Sequence, residues 1–546
     1  MADNRGGGGN GAREPGQPVE IELKLGLTAE AADALLASPL LRENAQGPVR
    51  TRDMRGVYYD TPDRRLRARG ASLRVREVDG RYVQTLKSAK RPDVPLAQRG
   101  EWEVELDGPA PRPAAFDDPA AHELTGLLLS EELGPVFELR VRRRVALVEW
   151  PPAGGNGRGD ADAARVELAF DDGRATVADG RSLPVSEVEL ELVRGGAEAL
   201  FGLAEAMRGV APLRLEPLDK ATRGWMLATG SPPAASKAAP VPLARGQTVD
   251  EALVAALGAT LRHWLDNEPA AADGGRPEGL HQLRVALRRL RSALTLFADA
   301  LGEPARGRWD DELRWLLGHL GAPRDLDVLA TGLLPPLLEA RGEDDPTLRA
   351  LRDAIAARRA AAQADLRETL ASQRYADLAL SLAAWVERRG WRGEAADPDA
   401  RRRQEGEVAA FAAGVLRRRH KRVAKRGRGF ERLDPEARHR LRIALKKLRY
   451  GMDFFAGLFP GKRLDRFRKA TARMQDRLGH LNDVAVASRL VRELVDPLPP
   501  GPEATAAALG GGQLVGWYAH QVAALEPETV HAWRAFRRLD PFWGDE

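Results

Sequence analysis

Val19-Glu20-Ile21-Glu22-Leu23-Lys24-Leu25 alternates charged and apolar side chains, and that alternation decides the fold of the N-terminal part of the chain. A strand turns successive side chains to opposite faces, so Glu20, Glu22 and Lys24 share one face and Ile21, Leu23 and Leu25 the other. The pattern returns downstream. Arg74 and Arg76 flank Val75, Glu101 and Glu103 flank Trp102, Arg140 and Arg142 flank Val141, and Glu187, Glu189 and Glu191 enclose Val188 and Leu190. One such strand reads as a solvated sheet face laced with salt bridges. A series of them, in a sheet closed with its apolar faces outward against helices, lines a tunnel with charge. Unpaired charges there cost several kcal/mol each. A divalent cation and a phosphate chain relieve that cost, carboxylates holding the metal and fixed cations the phosphate oxygens.

Further blocks follow in order: Tyr58-Tyr59-Asp60-Thr61, Leu73-Arg74-Val75-Arg76, Thr85-Leu86-Lys87, Glu101-Trp102-Glu103, Glu187-Val188-Glu189-Leu190-Glu191 and Lys220-Ala221-Thr222-Arg223-Gly224. With Glu20-x-Glu22-x-Lys24 ahead of them, this series resembles the CYTH domains, the triphosphate tunnel metalloenzymes, over about residues 19 to 227. The resemblance implies an antiparallel β-barrel tunnel of about eight strands with flanking helices. It also implies metal-dependent hydrolysis of a triphosphate, above all inorganic tripolyphosphate, with no covalent nucleophile. Glu20, Glu22, Glu187 and Glu189 would hold Mg²⁺ or Mn²⁺, with Glu101 and Glu103 as secondary candidates. Lys24, Arg74, Arg76, Lys87, Arg140, Arg142, Lys220 and Arg223 would clamp the phosphates. Glu20, Glu22 and Lys24 form the catalytic group, and the general base is left open.

The chain has 546 residues, 43% of them hydrophobic, which suits a multidomain protein with separate cores. A formal charge of +5 tolerates anionic partners, nucleic acid and polyphosphate alike. There is no cysteine, which excludes a disulfide framework, a thiolate metal site and a cysteine nucleophile, and leaves the redox compartment open. Residues 1–18 are glycine-rich without the apolar stretch of a secretory signal, and read as a disordered tail. No later stretch is long and apolar enough to span a membrane, so no membrane partner and a cytoplasmic location are expected.

Ser231-Pro232-Pro233-Ala234-Ala235-Ser236-Lys237-Ala238-Ala239-Pro240-Val241-Pro242 reads as a linker. Before it, short alternating runs are divided by turn signals such as Asp79-Gly80 and Asp179-Gly180. After it, Ala, Leu and Arg dominate with helical spacing. The expected division is a tail at 1–18, a β-rich domain at 19–228, a linker at 229–246 and an all-α domain at 247–546, an α+β multidomain chain.

The helical part contains a repeat. His281-Gln282-Leu283-Arg284-Val285-Ala286-Leu287-Arg288-Arg289-Leu290-Arg291 returns as His439-Arg440-Leu441-Arg442-Ile443-Ala444-Leu445-Lys446-Lys447-Leu448-Arg449. At 100° per residue, Leu283, Leu287, Leu290 and Leu294 form one stripe, and His281, Arg284, Arg288 and Arg291 another. In the second copy Leu441, Leu445, Leu448 and Met452 form the apolar stripe, and His439, Arg442, Lys446 and Arg449 the basic one. Solvated helix faces mix in acids for i,i+4 pairing, yet neither copy contains one, which points to a bound anion. Leu317-Gly318-His319-Leu320 likewise returns as Leu478-Gly479-His480-Leu481.

These repeats resemble the CHAD domain, named for conserved histidines in a helical fold, from about Thr248 onward. The resemblance implies duplicated four-helix bundles that bind inorganic polyphosphate, here through His281, Arg284, Arg288, Arg291, Arg419, His439, Arg442, Lys446 and Arg449. The run Arg417-Arg418-Arg419-His420-Lys421-Arg422 adds charge but little aromatic surface, which disfavours base stacking and a nucleic-acid partner. Long-chain polyphosphate is therefore the expected second ligand, with association to polyphosphate granules and a homodimer bridged by a shared anion as further expectations. The competing readings are a tunnel enzyme acting on an organic triphosphate, of adenylate cyclase or thiamine triphosphatase type, and a polyphosphate-binding scaffold without turnover.

Overall fold

A computed structural model describes residues 19–88, 97–128, 133–151, 163–394 and 398–543, which divide into two compact units. One holds the chain to Pro212 together with Leu218–Ser231, the other Leu213–Pro217 and everything from Pro232. The expected tail at 1–18 lies outside the described residues.

The first unit is an antiparallel sheet of β1 (Val19–Gly26), β2 (Arg50–Asp60), β3 (Ser72–Val78), β4 (Arg81–Lys87), β5 (Ala97–Leu106), β6 (Gly134–Trp150), β7 (Ala164–Thr176) and β8 (Ser182–Arg194). Its order runs β5-β4-β3-β2-β6-β7-β8-β1. β1 also meets β5, from Val19 opposite Gly100 to Glu22 opposite Ala97. The order thus returns on itself through a short junction, giving a tunnel-like wall. Asp79 and Gly80, both with positive φ, make the tight β3–β4 turn that the Asp-Gly pair predicts.

Strand register settles which face is which. Directly opposed residues share a face, and Lys24 stands opposite Glu189, Arg143 opposite Asp171, Asp171 opposite Glu187, Arg74 opposite Tyr58, and Lys87 opposite Glu101. The charged residues therefore face inward together. Leu23, Leu25, Leu73, Val75, Leu86, Val166, Leu168, Phe170, Val188 and Leu190 take the opposite face and are buried. Part of this outer core lies beneath the helix Pro119–Thr125, where Leu66, Leu73, Leu86, Trp102, Phe116 and Ala121 cluster. At about 25 cal/mol per Å² of apolar surface, covering that face offsets the cost of a charged interior.

The interior is not charged throughout. Where β2 and β7 end and β6 and β8 begin, Tyr58, Phe137, Leu139, Val141, Ala175, Val177 and Val185 gather around Trp225 of the helix Lys220–Thr229. Tyr58 stacks on Phe137 with centroids 4.3 Å apart. Asp219 caps this helix, its carboxylate accepting from Thr222 N at 2.8 Å, which sets Lys220 at the first helical position. The helix fits tightly, since a Cβ on Gly224 would fall 2.3 Å from the Phe137 ring. The barrel is filled with hydrocarbon at this end.

The second unit is helical and built twice. Val249–Asp273, Pro277–Leu296, a broken helix over 303–341 and Pro346–Ala371 correspond to Val408–Arg426, Pro435–Phe454, Lys462–Val495 and Pro502–Ala524. The predicted apolar stripes are its core: Leu283, Leu287, Leu290, Leu441, Leu445, Leu448 and Met452 are all 0% exposed. Leu326, Leu348, Leu351 and Ile355 of the first half share a cluster with Leu490, Val491, Leu494 and Leu514 of the second. The two repeat helices meet directly, Arg289 lying 5.2 Å from the Phe454 ring centroid. Among the described residues no helix is long and apolar enough to cross a membrane.

Candidate active site and anion-binding surface

Inside the first unit a cavity of about 440 Å³ is lined by Lys24, Tyr58, Ser72, Arg74, Arg76, Thr85, Lys87, Glu101, Glu103, Arg143, Glu167, Glu189, Glu191 and Lys220, among others. Both walls mix acids with cations, paired closely on one and loosely on the other. On β1, β7 and β8 the acids Glu22, Asp171, Glu187 and Glu189 converge, and the side chains of Asp171 and Glu187 are 0% exposed. Lys24 Nζ donates to Glu22 at 2.8 Å and also to Glu189. Lys220 Nζ contacts Asp171 at 2.8 Å, Glu189 at 2.9 Å and Glu187. Arg143 forks onto Asp171 at 2.7 and 2.6 Å and reaches Glu189 at 2.8 Å, while Arg223 pairs with Glu187.

This network sets the protonation states. Burial alone would raise the Glu189 carboxyl, but Lys220, Lys24 and Arg143 outweigh it and hold it well below the usual carboxylate range. Asp171 is lowered for the same reason, with Lys220 and Arg143 overcoming its burial. Burial would also discharge Lys220, yet Asp171, Glu189 and Glu187 raise it above an ordinary lysine. Asp171 and Glu189 stay anionic and Lys220 cationic across the physiological range.

On the β3, β4 and β5 wall the pairs are looser: Arg76 to Glu103 at 3.4 Å, Arg74 to Glu101 and Glu103 at 4.0 Å, and Lys87 to Glu101 at 2.8 Å. Arg76 is pushed down to about 10 by burial and by Arg74 beside it. Two guanidiniums held together with long contacts to acids form a wall poised for anionic oxygens.

The donor set fits a hard divalent cation in chemistry, since Glu22, Asp171, Glu187 and Glu189 offer carboxylate oxygens on adjoining strands. Lys24 and Lys220 stand among these acids, and the described residues contain no group of three His, Cys, Asp or Glu side chains arranged to hold a metal. The side chain of Glu20 lies outside what the structure describes.

Arg140 and Arg142, expected in the phosphate clamp, are on the outer face of β6. Their side chains are 72% and 66% exposed and pair with Glu138 and Asp53. The reason is parity: Phe137, Leu139 and Val141 point inward to the hydrocarbon-filled end, so the inward cation of this strand is Arg143. Sequence reading missed Arg143 and Asp171 because it took every apolar residue of an alternating strand as outward. The run Arg142-Arg143-Arg144 contained the signal. Asp60 proves to be a local staple, its carboxylate accepting from Thr61 N at 2.8 Å, Leu66 N at 3.0 Å and Arg67 N at 3.0 Å.

In the helical unit the first repeat gathers His281, Arg284 and Arg288 with Arg324, a cation the sequence reading did not include. Burial, then Arg288, pushes Arg284 down to about 10, although its Nη1 donates to Leu317 O at 3.1 Å. Burial, then Arg324, lowers His281, and Nε of Arg288 is buried without a hydrogen-bond partner. Arg291 and Arg449 occupy equivalent places, Arg291 held by Asp310 at 2.7 Å and Arg449 by Gln475 at 2.8 Å. Arg419, pushed down to about 10 by burial and by Arg422 and Arg418, belongs with a further group in which Lys447 feels Arg419, Arg422, Arg426 and Arg291. Arg442 and Lys446 are half-buried and His439 exposed on the second repeat helix. His420 is turned away from this charge into an aromatic pocket of Phe467, Phe536 and Trp543. His319 is exposed at a helix end, and the side chain of His480 lies outside the described residues.

Comparison with known proteins agrees with this division. The chain is 28% identical over 216 residues to an inorganic triphosphatase of Haemophilus influenzae, covering 38% of this chain and 54% of that protein. It therefore spans about half the length of this curated relative. Among solved structures, the CHAD domain from the plant Ricinus communis aligns at 33% identity and TM-score 0.48, over 56% of this chain and 98% of its own. A putative adenylyl cyclase from Hippeastrum, described as having a dominant triphosphatase activity, aligns at 20% identity and TM-score 0.28, over 39% of this chain and 96% of its own. Family models match the CYTH domain at residues 19–225 and the CHAD domain at residues 255–492, so this chain joins a CYTH domain to a CHAD domain.

Proposed function

We propose that the first unit is a divalent-metal-dependent triphosphatase acting on inorganic tripolyphosphate, and that the second binds long-chain polyphosphate. The observation that carries the first part is the charged cavity, with Glu189 at its surface backed by the buried acids Glu22, Asp171 and Glu187 on one side and the paired guanidiniums of Arg74 and Arg76 on the other. Arg74, Arg76 and Lys87 would take the phosphate oxygens of one end of the chain, and Arg143, Lys220 and Arg223 those nearer the acids. Glu22, Glu187 and Glu189, with Asp171 beside them, would hold Mg²⁺ or Mn²⁺. When bound, the metal would neutralise phosphate charge and position a water for in-line attack. Glu20 belongs to the same expected set. The hydrocarbon-filled end supports a short substrate over threading of a polymer.

Support for the second part is the acid-free basic run repeated on two helices, with Arg284 and Arg288 beside His281 and Nε of Arg288 buried without a hydrogen-bond partner, although Glu278 and Asp325 lie near enough to act on the cluster. Organic triphosphates lack support here, because among the described residues the cavity lining offers a single aromatic, Tyr58, already stacked on Phe137.

The test is phosphate release from tripolyphosphate, ATP and long-chain polyphosphate, with and without Mg²⁺ or Mn²⁺, comparing wild type with Glu22→Gln/Glu189→Gln. Metal-dependent release from tripolyphosphate that falls at least about a hundredfold in the double variant is expected. No release from any substrate, with polyphosphate still bound, would leave a binding scaffold in place of an enzyme.

A further inference from the structure

The two lysines of the acidic wall do something that a phosphate clamp does not require. Lys24 spans Glu22 and Glu189, and Lys220 spans Asp171, Glu187 and Glu189, so these two ammonium groups engage all four acids. Both lysine side chains are only 6% exposed. Among the described residues these four acids face four cations, Lys24, Lys220, Arg143 and Arg223, which balance their charge.

We propose that Lys24 and Lys220 are a counter-ion gate: they hold the acids against free metal, and withdraw only when a phosphate chain offers them other oxygens. This rests on reading the cavity as a metal-dependent triphosphate site. A divalent cation entering the closed cluster would add two positive charges beside two ammonium groups, in a buried place where charge is poorly screened. A phosphate chain reverses the balance, since each ammonium leaves a carboxylate for a phosphate oxygen and frees that carboxylate for the metal. Lysine suits the task. Its single charge rides on a flexible four-carbon stem, whereas the fork of Arg143 is fixed on Asp171 by two parallel bonds. Metal and anion then bind as a coupled pair, each raising the affinity of the other by the same factor.

The experiment is a Mn²⁺ titration followed by electron paramagnetic resonance, on the full chain without phosphate, comparing wild type with Lys24→Met, Lys220→Met and Arg76→Met. Methionine keeps the length and removes the charge. Wild type should bind Mn²⁺ weakly, and each lysine variant about tenfold or more tightly. Arg76→Met, a cation of the same cavity that contacts Glu103 instead, should show a markedly smaller gain. If a lysine variant does not fold, the wild type alone carries the test: Mn²⁺ too dilute to bind by itself should bind once nitrogen-bridged, non-hydrolysable tripolyphosphate is added. Equal Mn²⁺ affinity in wild type and lysine variants, or an equal gain in Arg76→Met, overturns the gate alone, with metal-dependent tripolyphosphate hydrolysis by the wild type showing that the proposed activity stands. No Mn²⁺ bound by any of the proteins, with or without the analogue and with no phosphate released, overturns the gate and the metal-dependent reading together.

Discussion

Arg142 and Arg143 are neighbours in sequence and separated by the thickness of the sheet. Arg143 sits on Asp171 and Glu189 inside, and Arg142 on Asp53 outside. Replacing Arg143 with alanine removes a cation from the phosphate path and leaves Asp171 without its bidentate partner. The expected loss is about a hundredfold in kcat/KM for tripolyphosphate. Arg142→Ala should stay within about twofold, because exposed ion pairs contribute about 1 kcal/mol or less. Steady-state phosphate release on the two variants checks both. At this scale the acids Glu22, Glu187 and Glu189 were legible, because a period of two with charge on one side has one inward reading once the strand is known. Arg143 was not legible, because which parity faces inward depends on Trp225, more than seventy positions away in the chain.

The helix Lys220–Thr229 presents Lys220 and Arg223 to the acids and Trp225 to the apolar end, so one short segment both completes the site and fills the barrel behind it. Gly224→Ala should destabilise the first unit by about 1–3 kcal/mol, since the added methyl meets the Phe137 ring at 2.3 Å. The measurement is the thermal midpoint of that unit, expected to fall by several degrees. The helical repeat was fully legible in its stripes, because leucines at helical spacing with cations on the adjoining arc admit one burial pattern. The break in the third helix of the first half had its own signal, Gly332 within the π turn Leu329–Leu333 and Pro335-Pro336 directly after it, where the continuous Lys462–Val495 has no proline, and repeat matching alone passed over it.

For the whole molecule, two separate cores and the two proposed ligand classes imply two addresses for stabilisation. Calorimetry of the full chain should show metal with non-hydrolysable tripolyphosphate raising the transition of the β unit, and long-chain polyphosphate raising that of the helical unit, each by mass action. The second effect should fade between about 50 and 200 mM salt, because it depends on partly exposed cations. A single transition moved equally by both ligands would refute this independence. Composition and turn signals made the two-part division readable. The return of Leu213–Pro217 to the helical unit was invisible to them, since nothing in five residues of ordinary composition marks a contact made in three dimensions.

The hydrocarbon filling around Trp225 also has a kinetic meaning. A chamber with one end stopped by Tyr58, Phe137 and Trp225 must release its products on the side from which it was loaded. Under the proposed activity, such an enzyme cannot walk along a polymer: each cleavage ends the encounter, and inorganic phosphate has to clear the doorway before the next molecule enters. Turnover would then slow as product accumulates, and the distribution of intermediate chain lengths would be that of a distributive enzyme.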